Sequence, residues 1–171
     1  MTCETNRREA LAEPIQGVEV RETGRGRFQV EVRTAGGTFL ADEPAAAGGL
    51  GSGATPYDLL GAALGACTAM TLRLYADRKG WPMKSALVRV AHRSQGLEVK
   101  DRFAREIVLE GDLSPEQKRR LLEIAERCPV HRTLARGCEI VSVLAEGREP
   151  CELEPEPLDH ASNMMELVEA E

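Results

Sequence analysis

The sequence predicts an α+β fold: antiparallel sheets around a long central helix, in the order βββ-α-ββ-α-β. Three observations carry that prediction. Short β-rich segments near the start are separated by glycine turns, one long uncharged segment carries helix start and stop signals, and a second helix is announced by a capping box. Strands come in runs rather than alternating with helices, which argues against a parallel α/β sheet.

The opening strands are Val18 to Arg21, Arg27 to Arg33 and Thr38 to Ala41, with Gly24, Gly26, Gly36 and Gly37 between them, as in an antiparallel meander. Ala45 to Gly53 has turn composition without periodicity and reads as a mobile loop. Thr55 then suits an N-cap, Pro56 the first helical position and Asp58 the first turn, so a helix should run from Thr55 to Lys79 and stop at Gly80. Such a helix spans roughly 37 Å. No residue from Leu59 to Leu72 is charged, so this half must be buried in the molecule or at a subunit interface. Leu60, Ala63, Leu64, Cys67, Met70, Thr71 and Leu74 form one face, while Gly61 and Gly65 open a second where another backbone can approach.

Two long β-rich stretches follow, Ser85 to Arg93 and Leu97 to Leu109, joined near Ser94 to Gly96 as a hairpin. Phe103, Arg105, Ile107 and Leu109 share one side of the second stretch. Ser114-Pro115-Glu116-Gln117 is a capping box, starting a helix whose apolar face is Leu121, Ile124, Ala125 and Cys128. Pro129 interrupts it, a short turn from Val130 to Ala135 ends at Gly137, and Cys138 to Leu144 reads as the last strand.

Composition places the chain among soluble globular proteins, with 42% hydrophobic and 29% charged residues in 171. The net charge of −6 is local: Ala145 to Glu171 holds nine acidic residues against one arginine, leaving about +2 on residues 1 to 144. The expected organisation is an N-terminal extension (1–17), one domain (18–144) and an acidic tail (145–171), partly disordered or docked around Met164 to Val168. The N-terminus lacks the apolar core of a secretory signal and no run suggests a membrane span, so a cytoplasmic location is expected. No nucleophile-elbow motif, phosphate loop or aromatic-interleaved basic stripe occurs, which disfavours hydrolase, nucleotide and nucleic-acid functions.

The chemistry then rests on cysteines. Cys3, Cys67, Cys128, Cys138 and Cys151 are odd in number and widely scattered, which points to free, metal-bound or catalytic thiols rather than a disulfide framework. Cys67 lies in A-L-G-A-C-T-A-M, where small neighbours leave room for an apolar substrate or for tight helix packing. Cys128 lies in R-C-P-V-H-R, where His131 and Arg132 can bring positive charge to the sulfur and favour the thiolate. Cys-Pro-Val-His could form half of a zinc site, but no second half appears at ligand spacing, so no metal and no bound cofactor is expected.

The segment T-P-Y-D-L-L-G-A-A-L-G-A-C-T-A-M (Thr55 to Met70), followed sixty-one residues after Cys67 by C-P-V-H (Cys128 to His131), resembles the OsmC/Ohr family. The resemblance extends over roughly residues 18 to 144 and includes the order of helix, hairpin, capped helix and Cys-Pro. It implies an intertwined homodimer with sites at the subunit interface. It also implies a peroxidase cycle in which Cys67 attacks an organic hydroperoxide and becomes a sulfenic acid, Cys128 condenses with it to a disulfide, and an external dithiol of lipoyl type restores both thiols. The catalytic arginine of such members lies in the N-terminal strand region, where Thr23 to Arg27 offers Arg25, or Arg27 beside it.

One position departs from the pattern. Peroxidatic members carry a glutamate ten residues before the first cysteine, in a Pro-Glu pair that orients the arginine, whereas here Pro56 precedes Tyr57. Asp58 lies about 100° away around the helix, and Asp42 or Glu43 offers a substitute carboxylate from the loop. The leading expectation is therefore a cysteine-based hydroperoxide reductase. The alternatives are a non-catalytic redox-sensing or small-molecule-binding module, and a core that merely packs two cysteines.

Overall fold

The computed structural model describes residues 17–94, 96, 99–142, 144 and 162–166. These fall into two compact units, one of residues 17–56 with 142 and 144, and one running from Tyr57 to Val141 and including residues 162–166.

The first unit is a three-stranded antiparallel sheet in the order β1 (Glu19–Glu22), β2 (Val30–Thr34), β3 (Gly37–Ala41). Its register pairs Val20 with Val32 and Val32 with Phe39, as alternating side chains on a meander require. The stretch after β3, expected to be mobile, is instead organised. A 3₁₀ turn forms at Ala45–Ala47, and the buried Asp42 carboxylate accepts from the backbone N–H groups of Glu43, Leu50 and Ser52 and from the Ser52 hydroxyl. The loop folds so closely that a Cβ at Gly49 would collide with the Glu43 carbonyl, and one at Gly53 with the Leu40 carbonyl.

In the second unit, helix α1 spans Pro56–Arg78, within a residue of the expected ends at Thr55 and Lys79. The hairpin is β4 (Met83–Arg93) paired with β5 (Arg102–Gly111), with a register irregularity between Met83 and Ser85. β5 buries alternate residues on the expected side: Phe103, Arg105, Ile107 and Leu109 are shielded while their neighbours are exposed. β4 passes the glycine face of α1, where Cβ atoms at Gly61 and Gly65 would touch Val90 at ordinary van der Waals distance. Arg73 of α1 ties the helix to the start of β4 by donating to the Met83 and Lys84 carbonyls at 2.7 and 2.8 Å.

Helix α2 (Pro115–Ala125) begins at the expected capping box, with Ser114 and Gln117 satisfying each other's backbone N–H groups. It lays Leu121, Ile124 and Ala125 on Leu72, Tyr75 and Ala76 of α1, closing the larger of two apolar clusters. By length and composition α1 could cross a membrane, but the side from Leu64 to Ala76 is packed against protein, as in a core helix.

The region after α2 departs from expectation. Pro129–Arg136 forms a full helix, α3, where only a short turn was expected; Cys128, facing the core at the end of α2 as expected, also serves as the N-cap of α3. The strand expected at Cys138 to Leu144 is absent: residues 138–142 and 144 have no regular structure. Their β-like pattern finds no strand edge among the described residues, and Ile140 and Leu144 remain 83% and 94% exposed. The observed order is thus βββ-α-ββ-α-α, with antiparallel sheets throughout. The N-terminal extension and most of the acidic tail, Cys3 and Cys151 included, lie outside the described residues. Within the tail, residues 162–166 are helical and bury Met164.

Candidate active site

Three elements bring the two sulfurs together. Cys67 projects from the middle of α1, 2% exposed, and Cys128 from the α2–α3 junction, fully buried; with Leu64 they form the smaller apolar cluster, walled by Val90, Phe103, Val130 and Leu134. Neither is in a disulfide. They hydrogen-bond to each other.

The two sulfurs receive unequal help. Cys67 Sγ accepts from the Val130 backbone N–H at 3.4 Å, and a hydrogen bond from the Thr71 side chain also favours its thiolate. Cys128 Sγ accepts from the His131 backbone N–H at 3.3 Å, at the positive end of α3, and lies 3.7 Å from the Thr68 hydroxyl. Behind Thr68 stands Arg105, its side chain only 8% exposed. Its guanidinium donates to Thr68 Oγ1 at 2.7 Å and to the Ala125 carbonyl at 3.0 Å, and pairs with Glu126 at 2.8 Å.

These surroundings split the thiols. The hydrogen bond between the sulfurs, reinforced by burial, pushes the Cys67 thiol far above the ordinary cysteine range. The same hydrogen bond outweighs burial at Cys128, and the His131 N–H, Thr68 and the charge of Arg105 add to it, so that thiol is held well below the ordinary range. The two sulfurs titrate as a pair, and their surroundings favour the thiolate on Cys128 over Cys67.

Of the cations expected from the sequence, His131 contributes through its backbone, while its imidazole pairs with Glu126 at 3.3 Å. Arg132 is exposed and lines a separate cleft with Arg136. Arg25 lies in the turn between β1 and β2 with an exposed side chain, its backbone N–H donating to Thr23. The substitute carboxylate offered by Asp42 is fully engaged within its own loop.

Tyr57 stacks in parallel on His92, ring centroids 3.9 Å apart, and His92 in turn leans on Phe103. His92 Nε2 donates to Asp101 at 2.9 Å; this bond, with others from Ser94 and Tyr57, keeps the Asp101 carboxyl below its ordinary range. An open cleft of about 330 Å³ shares Leu64, Phe103 and Leu134 with the walls around the sulfurs and is lined also by Asp101, Arg105, Glu126 and His131. Among the described residues no three His, Cys, Asp or Glu side chains gather as a metal-holding group.

Arg105, Thr68 and Glu126 escaped the sequence reading as site residues. Only Arg105 left a signal: a charged residue on the inward side of an alternating strand.

A family model described as OsmC-like protein matches residues 49–142, which span both cysteines. The chain belongs to the OsmC-like protein family. Solved structures agree on the fold. The chain is similar to an OsmC like protein from Mycoplasma pneumoniae, at 19% identity and a TM-score of 0.59 over 70% of this chain and 86% of that one. It is also similar to an organic hydroperoxide resistance protein OsmC from Legionella pneumophila, at 22% identity and a TM-score of 0.53 over 68% and 86%. A third, an organic hydroperoxide resistance protein from Elizabethkingia anophelis, gives 22% identity and 0.54 over 68% and 86%. No curated protein matches the chain by sequence. At these identities the OsmC-like fold is shared, and the low values fit a divergent member.

Proposed function

We propose that this OsmC-like protein is a thiol peroxidase that reduces organic hydroperoxides through a Cys67–Cys128 disulfide. The observation that carries the reading is the buried, hydrogen-bonded pair of sulfurs, whose apolar walls Leu64, Phe103 and Leu134 also line an open cleft. The names of the hydroperoxide resistance proteins from Legionella and Elizabethkingia give it support at the level of the fold.

In the proposed cycle a proton crosses from Cys67 to Cys128, leaving the thiolate on Cys67. That thiolate attacks the distal peroxide oxygen, the O–O bond breaks, and the alkoxide takes a proton from water and leaves as the alcohol. The Cys128 thiol then attacks the Cys67 sulfenic acid, forming the S–S bond and releasing water. A lipoyl-type dithiol restores both thiols by two exchange steps and leaves as its own disulfide. The resolving thiol already touches the peroxidatic one, so the sulfenic acid is trapped before over-oxidation.

The rest of the assembly belongs to the same proposal. α1 leaves Leu60 and Met70 42% and 54% exposed within a single chain, an apolar surface that a second copy would cover in a homodimer. In that dimer Arg25 is the candidate for the arginine that the family resemblance brings to Cys67.

Cumene hydroperoxide added to the reduced protein, with dihydrolipoamide as reductant, tests the function. Multiple turnovers, with the Cys67–Cys128 disulfide found by peptide mass mapping, would support it. One stoichiometric oxidation without turnover would make the protein a sensor, and unreacted thiols would reduce the pair to packing; either result overturns the peroxidase.

A further inference from the structure

The chain lacks a carboxylate at position 57, yet the structure builds an arginine–carboxylate pair beside the sulfurs from other elements. Arg105 comes from β5 and Glu126 from the turn after α2, joined at 2.8 Å. A guanidinium shielded to 8% exposure needs compensation for the water it has lost. Glu126 supplies it to Nη2, but that carboxylate is 58% exposed and so well screened by solvent. Nη1 donates to the Ala125 carbonyl and the Thr68 hydroxyl, and beyond Thr68 comes Cys128. On that side the contacts therefore lead from the guanidinium through Thr68 to the sulfur pair.

We propose that Arg105, braced by Glu126, is the positioning residue that holds the negative charge of the sulfur pair, acting through Thr68. The hydroxyl is well placed for this. It now donates to the Leu64 carbonyl at 2.7 Å while accepting from Arg105, and a modest rotation turns the same proton toward Cys128. Arg105 also fixes the α2–α3 junction through Ala125, and so the backbone that presents the Val130 and His131 N–H groups to the two sulfurs. The other titratable groups around the site point elsewhere: the His131 imidazole to Glu126, and His92 to Asp101 beyond Phe103. Arg105, though paired with Glu126 through Nη2, reaches toward the sulfur pair through Nη1 and Thr68.

The test reads ionisation and needs no turnover, so it stands or falls separately from the peroxidase. In the reduced full-length protein, thiolate ultraviolet absorbance is titrated against pH, with alkylation and peptide mapping assigning the signal to Cys128. Arg105→Gln should raise the midpoint by about one unit or more, a tenfold loss of thiolate at a given pH. Arg105→Lys, which keeps the charge but not the fork, should recover part of that shift. Glu126→Gln should lower the midpoint, since it removes the charge that offsets Arg105. These opposite signs separate electrostatics from a structural role, which would move both variants the same way. An unchanged midpoint in folded Arg105→Gln overturns the proposal. Should that variant fail to fold, Glu126→Gln decides alone, and a midpoint that stays or rises overturns it.

Discussion

Each unit of this protein buries an acidic group whose ionised form is favoured, Asp42 in one and Cys128 in the other, and the two are held in opposite ways. Asp42 receives four hydrogen bonds, three from backbone N–H groups and one from a hydroxyl, all from a single turn of chain. Burial alone would push its carboxyl up, but these donors together hold it below the ordinary range. Cys128 receives one backbone N–H, a longer contact from Thr68, a cation beyond it, and a hydrogen bond from a second sulfur. The difference teaches what separates a structural anion from a reactive one. A carboxylate with a full set of donors has no electron pair to spare, and its neighbours are fixed by it. A thiolate whose main partner carries a movable proton can pass its charge on.

The largest effect expected from that contrast is on the movable proton. Cys67→Ser removes the sulfur that both shares the proton and attacks peroxide, so turnover should fall to the level of buffer without protein. Cys128→Ser should still consume one peroxide per chain and then stop, with Cys67 passing to the sulfinic acid under excess oxidant. Mass analysis of intact and digested protein distinguishes the two; steady turnover by either variant would break the assignment of a working pair.

The next largest effect lies in the other unit. Asp42→Ala leaves the N–H groups of Glu43, Leu50 and Ser52 without their acceptor, so amide exchange across 42–52 should speed up by about tenfold or more while thiol chemistry is unchanged. The wild-type loop should respond to acid with the same sign. The folded Asp42 carboxyl titrates below its ordinary value of 3.8, so its contribution is complete above that value and is lost as pH falls through the lowered one. Loop protection that persists unchanged well below that pH would show that Asp42 is not its organiser.

How much of this was legible in the sequence follows the range of the forces. Helix α1, the meander, the hairpin and the Ser114 capping box rest on local signals, namely periodicity, glycine turns and an N-cap, and they form where those signals put them, except that the hairpin's second strand begins at Arg102 rather than Leu97. The last strand did not, because Cys138 to Leu144 has strand composition but strand formation needs a partner edge, which no local pattern supplies. Loop 45–53 looked mobile because its order comes from Asp42, a residue outside the glycine-rich run. At the site, Cys67 and Cys128 were readable as a pair from their motifs. The charge around them was misplaced, since His131 and Arg132 are neighbours in sequence whereas Arg105 is a neighbour only after β5 packs against α1 and α2.

The smallest expected effect is the most discriminating for the comparison between the two anions. Thr68→Val keeps the shape of the side chain and removes one hydroxyl, which touches Leu64, Arg105 and Cys128 at once. If the hydroxyl relays the charge of Arg105 to the sulfur, the Cys128 thiolate midpoint should rise, by less than about one unit because the 3.7 Å contact is long and Arg105 itself remains. The shift should vanish when Thr68→Val is made on Arg105→Gln, since a relay without a source carries nothing. If the two substitutions add in full instead, the hydroxyl and the guanidinium act on Cys128 independently. The sulfur pair would then be held, like Asp42, by a sum of separate donors rather than by a connected chain.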